Sequence, residues 1–346
     1  MHPDDVLAYL AGMMDGDGYF KVTKSYRWGR SGNPYYGISI GVQQLWPGEA
    51  VRLFAVTFGG EAKPWILPSG RTIARCEIHT RKAGSAVRRL LPYLLVKKEQ
   101  ALLLLEVGAP KQRTSNGSSE RNNGLEAIRQ AILSLHEVAS RSALGSLPIT
   151  QCARGYERLG PAELGWTRNQ ILAYLAGTMD SDGSFRVEKR RVRGMLGPHY
   201  RICIRCAQVI PSGAVELLAN TFGGHLAMRQ DKRPHSRNLV SWSLHDRTAV
   251  SAIVALLPFL VVKEAEALLL LELRRLKAQG KQGLTVWKHA NRWRDSVKMR
   301  KRCYTAEQLV KFERIFQTLH TMHSHGWVGA GDHTSASSLG VFSDSG

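Results

Sequence analysis

The sequence has few acidic residues, few cysteines and no long uninterrupted apolar run. Its 28 aspartates and glutamates face 48 lysines and arginines over 346 residues, which gives a formal net charge of +20. Such a charge favours a polyanionic partner over a small neutral ligand. The five cysteines are scattered and odd in number, which indicates free thiols in a reducing compartment. Charged residues interrupt the apolar stretches before they reach the roughly 20 residues of a bilayer span, so we expect no transmembrane helix. The N-terminus shows no basic region followed by an apolar stretch and a cleavage site, so we expect no secretory signal.

One pair of cysteines, Cys203 and Cys206, has the spacing of a zinc-ligand pair. No second pair of cysteines or histidines lies at the distance that a closed zinc site needs. The segment also alternates as a strand does, which places the two sulfur atoms on opposite faces. We therefore expect no zinc site built from this pair.

An internal duplication organises the chain. Residues 6–22 match 171–187 at 12 of 17 positions, and 90–106 match 256–272 equally well. The offset between the copies drifts only from 164 to 166 residues. A repeated unit of about 100 residues has the size of a domain. Two such copies tend to pack about a pseudo-twofold axis, a symmetry that matches duplex DNA.

Each copy begins with a helix of apolar and small residues that runs into Asp-x-Asp-Gly. The acids are Asp15 and Asp17 in the first copy and Asp180 and Asp182 in the second. A helix C-terminus carries partial negative charge, so acids there are disfavoured unless something cationic offsets them. The pattern therefore predicts a divalent cation with oxygen ligands at each helix end.

Each copy is predicted to fold in the order helix, strand, strand, helix, strand, strand, helix. In the first copy the predicted helices are 5–15, 49–58 and 81–107, interrupted at Pro92, and the strands are 19–28, 35–44, 61–67 and 71–79. We divide the chain into a first repeat (1–108), a linker with one amphipathic helix (109–168), a second repeat (169–280), a basic helical extension (281–327) and a Gly/Ser-rich tail that we expect to be disordered (328–346). Thr305 is the expected N-cap of the helix in the extension.

The predicted strands alternate apolar and polar residues, so each sheet should have one buried face and one polar face. The polar faces are rich in basic and hydrogen-bonding residues, which suits the major groove of DNA. An ordinary solvated face is the alternative. The candidate DNA contacts are Lys21, Thr23, Tyr35, Ser39, Arg71 and Arg75 in the first copy, and Arg186, Glu188, Arg190, His199, Arg201, Arg205, Arg229 and Arg237 in the second. Because the two sets differ, we expect an asymmetric target of roughly 20 base pairs.

The segments Leu10-Ala-Gly-Met-Met-Asp-Gly-Asp-Gly18 and Leu175-Ala-Gly-Thr-Met-Asp-Ser-Asp-Gly183 resemble the two signature motifs of single-chain LAGLIDADG homing endonucleases. The resemblance covers about residues 4–108 and 168–279. It implies an α+β fold of duplicated αββαββα units with pseudo-twofold symmetry, two antiparallel DNA-binding sheets and two central packed motif helices. The small residues that allow this helix packing are Ala8, Ala11, Gly12, Ala173, Ala176 and Gly177.

The resemblance also implies a metal site. Its metal-binding acids are Asp17 and Asp182, helped by the backbone carbonyls of Gly16 and Ser181. The preceding acid of each motif takes a capping or structural role. Mg²⁺ is the expected ion, because hard oxygen ligands and phosphate suit it. We expect Mn²⁺ to substitute, and Ca²⁺ to bind without supporting efficient cleavage.

A basic residue and a polar residue are implied beside each metal site. Lys97 and Lys263 occupy matching positions, where they would stabilise phosphate charge or position the attacking water. Gln44 and Gln208 match at the ends of the second strands and could hydrogen-bond that water. Two alternatives stay open in the first copy, because Lys98 adjoins the lysine and Gln43 adjoins the glutamine. Surface lysines without a catalytic role remain a further possibility.

The resemblance implies a monomeric homing endonuclease, encoded within a mobile intron or intein, that makes a staggered double-strand break with 3' overhangs. An RNA maturase that binds intron RNA through the basic segment 284–302 is one alternative. A catalytically silent DNA-binding regulator is another, but such a protein is usually marked by a lost motif acid, and both acids are present. Intein splicing itself is not supported. High Ala, Gly and Arg content indicates a GC-rich genome, which favours a location in a prokaryotic cytoplasm. A location in an organelle is the alternative.

Overall fold

The computed structural model describes residues 1–26, 34–108, 118–141, 161–191, 198–210, 212–229, 238–285 and 299–325. Within these ranges the chain forms two halves of the same design, joined along a pair of central helices. The predicted α+β architecture of duplicated units is confirmed.

The N-terminal half follows the predicted element order. Its elements are α1 (Pro3–Gly16), β1 (Gly18–Ser25), β2 (Tyr35–Leu45), α2 (Glu49–Phe58), β3 (Lys63–Ile66), β4 (Thr72–His79), α3 (Thr80–Leu90), α4 (Lys98–Gly108) and α5 (Ser118–Arg141). The predicted interruption at Pro92 is confirmed, since a short 3-10 turn at Leu91–Tyr93 separates α3 from α4.

The C-terminal half repeats this order and then adds a strand pair. Its elements are α6 (Arg168–Asp182), β5 (Gly183–Arg190), β6 (His199–Val209), α7 (Gly213–Phe222), β7 (His225–Arg229), β8 (Leu239–His245), α8 (Asp246–Leu256), α9 (Glu264–Ala278), β9 (Lys281–Thr285), β10 (Met299–Cys303) and α10 (Ala306–His325). Thr305 caps α10 as expected, because its hydroxyl accepts from the Gln308 amide at 3.1 Å.

Each half contains one four-stranded antiparallel sheet, with strand orders β1-β2-β4-β3 and β5-β6-β8-β7. One face of each sheet is buried under the helices, as Phe20 and Ile40 show in the first half and Phe185 and Ile204 in the second. We call the opposite surfaces, which carry the alternating polar residues, the polar faces. Period-two alternation therefore assigns the strand faces correctly.

The central helices α1 and α6 approach each other closely at two glycines. A Cβ atom on Gly12 would lie 2.0 Å from the carbonyl oxygen of Tyr174, and one on Gly177 would lie 2.0 Å from that of Tyr9. Almost every side chain in the middle of both helices is fully buried. The small residues of the repeated motif therefore bring two helix backbones into direct contact at the pseudo-twofold axis.

The duplication extends beyond the units visible in the sequence. In the first half, Tyr36 donates to Glu126 of α5 at 2.7 Å, and Lys24 lies 3.0 Å from the same carboxylate. In the second half, Tyr200 donates to Glu313 of α10, and Lys189 lies 2.7 Å from it. The helix expected in the linker (α5) and the helix expected in the extension (α10) are thus equivalent fifth helices, and each contacts the first two strands of its own half.

The predicted helical character of the extension is wrong at its start. Lys281–Thr285 and Met299–Cys303 are antiparallel strands, in which Leu284 pairs with Arg300. Gly283 and Thr285 disfavour a helix, whereas a hairpin satisfies the backbone after α9 ends. The polar loop expected at 109–123 is wrong at its end, because α5 begins at Ser118. Its residues 109–117, the basic residues 286–298 and the tail at 328–346 lie outside the described residues. No helix among the described residues is long and apolar enough to span a membrane.

Candidate active site

The C-terminal ends of α1 and α6 meet side by side. A Cβ atom on Gly16 would lie 2.2 Å from the Ser181 hydroxyl oxygen and 2.8 Å from Oδ2 of Asp182. Asp17 follows the end of α1, and Asp182 is the last residue of α6. Helix packing thus holds the second acid of each motif close to its counterpart.

Both of these carboxyl groups are largely withdrawn from water. Burial, and then the negative charge of Asp182, raise the pKa of Asp17 from 3.8 to about 6. Burial also raises the pKa of Asp182, whereas the hydrogen bond from Gln208 and the charges of Lys97 and Lys263 oppose this increase. Two partly buried carboxylates that repel each other favour any bound cation that neutralises them.

One glutamine contacts each acid. The side-chain amide of Gln208 donates to Asp182 at 2.8 Å, and that of Gln44 donates to Asp17 at 3.3 Å. The Oε1 atom of Gln208 accepts from the Ser212 hydroxyl, whereas Oε1 of Gln44 is buried without a partner among the described residues. Gln43 is exposed on the polar face, so the structure places Gln44 at the acid.

The two lysines lie at the helix ends rather than on the surface. The Lys97 ammonium group donates to the carbonyl oxygens of Met14 at 2.9 Å, Gly16 at 2.8 Å and Gly18 at 2.6 Å. Burial lowers the pKa of Lys97, and the nearby aspartates oppose this shift. The Lys263 ammonium group donates to the carbonyl oxygens of Met179, Asp180, Ser181 and Gly183. Lys98, the alternative to Lys97, is exposed at the start of α4.

The first acid of each motif has the structural position that the resemblance implies, because three backbone amides surround its carboxylate. Asp15 accepts three backbone amides, from Leu95 at 2.8 Å, Val96 at 3.1 Å and Lys97 at 2.8 Å. Asp180 accepts the amides of Val261, Val262 and Lys263 in the same way. Each of these acids holds the backbone turn that precedes α4 or α9, and thereby positions the lysine.

A crossed pair of tyrosines links the two halves, and the sequence reasoning did not single them out. The Tyr9 hydroxyl donates to Asp180 at 2.8 Å, and the Tyr174 hydroxyl donates to Asp15 at 2.7 Å. Each tyrosine thus contacts the structural acid of the opposite half. A signal was available, because both copies of the motif carry tyrosine at the same position.

The donor set around the two acids fits a hard divalent cation. It comprises the carboxylates of Asp17 and Asp182, the carbonyl oxygens of Gly16 and Ser181, and the unpartnered Oε1 atom of Gln44. All of these are oxygen atoms, and neither histidine nor cysteine stands among them. A cleft lined by Asp17, Gln44, Ser181 and Lys263 gives access to this site.

Most of the candidate DNA contacts lie on the polar faces, but several are already paired. Ser39 is only 1% exposed and donates to Glu77 at 2.8 Å, so another group would have to move before it could reach a base. Arg75 donates to the same Glu77 at 2.6 Å. Arg190 donates to Glu188 at 2.6 Å. The other described candidates, some of which also have partners, are exposed or half-exposed: Lys21, Thr23, Tyr35, Arg71, Arg186, His199, Arg201 and Arg205.

Two further candidates are not described in full. Arg229 is the last residue of β7, and nothing is described of its side chain. Arg237 lies outside the described residues. Their assignment as DNA contacts stays a prediction.

No protein-family model and no curated protein matches the chain, whereas many solved structures do. I-SmaMI, bound to an uncleaved DNA target in the presence of calcium ions, is 13% identical, with a TM-score of 0.59 over 92% of this chain and 99% of that one. The LAGLIDADG homing endonuclease I-LtrWI, bound to target DNA, is 14% identical, with a TM-score of 0.58 over 92% and 98%. The LAGLIDADG meganuclease I-AabMI, bound to uncleaved DNA, is 15% identical, with a TM-score of 0.52 over 90% and 98%.

The fold and the paired helix ends therefore define the structural class. The chain has the two-domain α+β fold of the LAGLIDADG homing endonucleases.

The raised pKa of Asp17 predicts a pH-dependent response to metal. At about pH 7.5 we expect millimolar Mg²⁺ to raise the melting temperature by a few degrees, because the ion relieves the repulsion between two ionised acids. At about pH 5 the folded protein keeps a proton on Asp17, whose pKa is about 6, so the proton competes with the ion and the increase should largely disappear. Thermal unfolding at both pH values measures this, with Asp17→Asn as the variant that loses the response. Equal increases at both pH values would contradict the assignment.

Proposed function

We propose that this protein is a site-specific endonuclease that makes a double-strand break in a long, asymmetric DNA target. The observation that carries the proposal is the pair of equivalent acids, Asp17 and Asp182, held together at the ends of the two central helices. Two equivalent acidic centres related by a pseudo-twofold axis match the two strands of a duplex. The net charge of +20 supplies attraction to the polyanionic substrate.

Each centre contains groups suited to phosphodiester hydrolysis. Asp17 and Asp182, with the carbonyl oxygens of Gly16 and Ser181, would hold divalent ions, for which Mg²⁺ is the expected choice. Bound ions of this kind supply an activated water and neutralise charge on the leaving oxygen. Gln44 and Gln208 each donate to one acid, and from this position their side-chain amides could also hydrogen-bond the attacking water.

The two lysines have a second role beside their structural one. Each ammonium group neutralises the partial negative charge of a helix C-terminus, where carbonyl oxygens would otherwise repel an incoming phosphate. Lys97 and Lys263 also place positive charge near both acids, and this charge opposes the rise in the acids' pKa. They thereby help to keep the carboxylates ionised and would stabilise charge that develops on the phosphate.

The two polar faces would select the target. The N-terminal face presents a linked Tyr19, Arg75 and Glu77 network, whereas the C-terminal face presents several arginines at half-buried positions. Arginine reads guanine through two hydrogen bonds, so the second half should prefer a guanine-rich half-site. Because the faces differ, the target should be asymmetric and roughly 20 base pairs long.

The solved relatives support this partner. I-SmaMI, I-LtrWI and I-AabMI were each solved with DNA, and the first of them also with calcium ions. Carried over to this chain, they favour duplex DNA as the substrate. A single chain as the active unit and an origin within a mobile intron or intein follow instead from the resemblance of the two motifs. The 3' overhangs of the staggered break belong to the same proposal.

A selection on a randomised duplex library tests the proposal directly. Parallel pools score binding in Ca²⁺ and cleavage in Mg²⁺. We expect both pools to select the same sequence, which is bound but not cut in Ca²⁺ and is cut in Mg²⁺. Mn²⁺ should support the same cleavage. A bound sequence that is never cut would replace the endonuclease with a silent regulator. Failure to bind any duplex, together with binding of a structured intron RNA, would replace it with a maturase.

A further inference from the structure

Three metal-ligating side chains converge on the polar face of the C-terminal sheet, away from the two motif acids. Glu188 lies on β5, Cys203 on β6 and His245 at the end of β8. Cys203 and His245 stand directly opposite each other in the β6–β8 register. One ligand atom from each of the three side chains lies within 4.8 Å of the other two.

The nitrogen and sulfur atoms in this cluster have little else to bind. The Nδ1 atom of His245 is buried and has no hydrogen-bond partner among the described residues. The Cys203 side chain is fully buried, and its sulfur makes one weak contact, 3.9 Å from the carbonyl oxygen of Ile204. Glu188 accepts from Arg190 through Oε2 at 2.6 Å, which leaves its other oxygen for a second partner.

In the metal-free protein the surroundings favour the neutral imidazole but disfavour the thiolate. Burial, and then the Arg201 charge, lower the pKa of His245. Burial, and then the Glu188 charge, raise the pKa of the Cys203 thiol, although nearby arginines oppose that rise. A bound cation would reverse the preference at Cys203, because metal binding releases the thiol proton.

We propose that Glu188, Cys203 and His245 form a binding site for a divalent transition metal, with Zn²⁺ as the best match. Thiolate and imidazole ligands select zinc over magnesium or calcium, which prefer oxygen. Zinc bonds of about 2.0 to 2.3 Å place tetrahedral ligand atoms roughly 3.3 to 3.8 Å apart, so small side-chain rotations close the site. Three protein ligands leave a fourth coordination position open on the polar face.

The other half of the molecule provides an internal comparison. By the strand registers, the positions equivalent to Glu188, Cys203 and His245 are Thr23, Ser39 and His79. Only the histidine is kept there, and hydroxyl groups replace both the carboxylate and the thiol. The inference therefore assigns the soft-metal site to one sheet alone. It also assigns Glu188 as a metal ligand, whereas the sequence alone placed it among the candidate DNA contacts.

Cobalt(II) titration of the full-length, metal-depleted protein tests the proposal without DNA or cleavage. A thiolate bound to Co²⁺ gives an intense near-ultraviolet charge-transfer band, which Co²⁺ at the oxygen-only acidic centres cannot produce. We expect this band to saturate at about one equivalent per chain, and Zn²⁺ to abolish it by displacement. Cys203→Ser should remove the band. Glu188→Gln, which keeps the size of the side chain but removes its charge, should weaken Co²⁺ binding at least about tenfold.

His79→Ala is the matched control, because it removes the equivalent histidine of the other sheet and should leave the band unchanged. Absence of the band at one equivalent would overturn the proposal. So would a full band in Cys203→Ser, or unchanged affinity in Glu188→Gln. A positive result with no DNA cleavage would retain the metal site while rejecting the endonuclease, so the two proposals fail separately.

Discussion

We expect Asp17→Asn and Asp182→Asn each to abolish double-strand cleavage while leaving DNA affinity nearly unchanged. Each substitution removes a charged oxygen from one of two equivalent centres but keeps the side chain's size. We expect the rate of double-strand cleavage to fall at least about 100-fold, because one strand loses its charge-stabilising groups. DNA affinity resides mainly in the basic surface, so it should change little. Gel assays with supercoiled plasmid separate nicked from linear product.

Asp17→Asn should also stabilise the metal-free protein. The folded pKa of Asp17 is about 6 against an ordinary value of 3.8. Its ionisation therefore costs stability as pH rises from below 3.8 through 6, and the full cost is present at about pH 7.5. A shift of this size corresponds to about 3 kcal/mol as an upper figure, so Asp17→Asn should gain about 1 to 3 kcal/mol in the presence of chelator.

Lost cleavage in a more stable protein is therefore the diagnostic combination. Asp4→Asn, at the exposed start of the same helix, is the control and should preserve cleavage. A full-rate double-strand cutter carrying either motif substitution would refute the assignment of Asp17 and Asp182. Loss of cleavage together with unfolding would show instead that these acids are structural.

Gly12→Ala and Gly177→Ala should each disrupt the contact between the two halves. The added methyl carbon would lie 2.0 Å from a carbonyl oxygen of the opposite helix, where no side-chain rotation can relieve the clash. Core overpacking usually costs about 1 to 3 kcal/mol, and a clash between two buried backbones should reach at least about 3 kcal/mol. Denaturant unfolding monitored by circular dichroism measures the loss.

Gly124→Ala provides the control for helix propensity. Gly124 lies in α5, and a Cβ atom there would have no neighbour within 4 Å. Alanine should stabilise that helix by roughly 0.5 to 1 kcal/mol. Wild-type stability in Gly12→Ala would mean that the central helices do not pack as described.

The repeated motif made much of this structure predictable. Two copies of one helix with matching glycines indicated a pseudo-twofold axis, and the acids at positions 17 and 182 followed from the resemblance. Strand alternation could also have decided between Gln43 and Gln44 as the residue at the acid. Gln44 lies on the same face of β2 as the buried Ile40 and Val42, whereas Gln43 lies on the opposite face.

Other features depend on contacts that local sequence does not encode. Asp15 accepts from backbone amides about 80 residues away, so an argument from the end of its own helix could not identify these partners. The equivalence of α5 and α10 was hidden because β9 and β10 are inserted before α10, which shifts its offset away from that of the repeats. Glu126 with Gln130 in α5, and Glu313 with Gln317 in α10, have the same spacing and show which positions of the two helices correspond.

The most direct test of the central claim is to map the cut on each strand of the selected target. With both 5' ends labelled, the account predicts one Mg²⁺-dependent break per strand, offset by a few base pairs to leave 3' overhangs, and no break in chelator. Asp17→Asn or Asp182→Asn should prevent formation of the double-strand product. Cleavage that persists without divalent metal, or breaks scattered along both strands, would contradict two paired acidic centres at the helix ends.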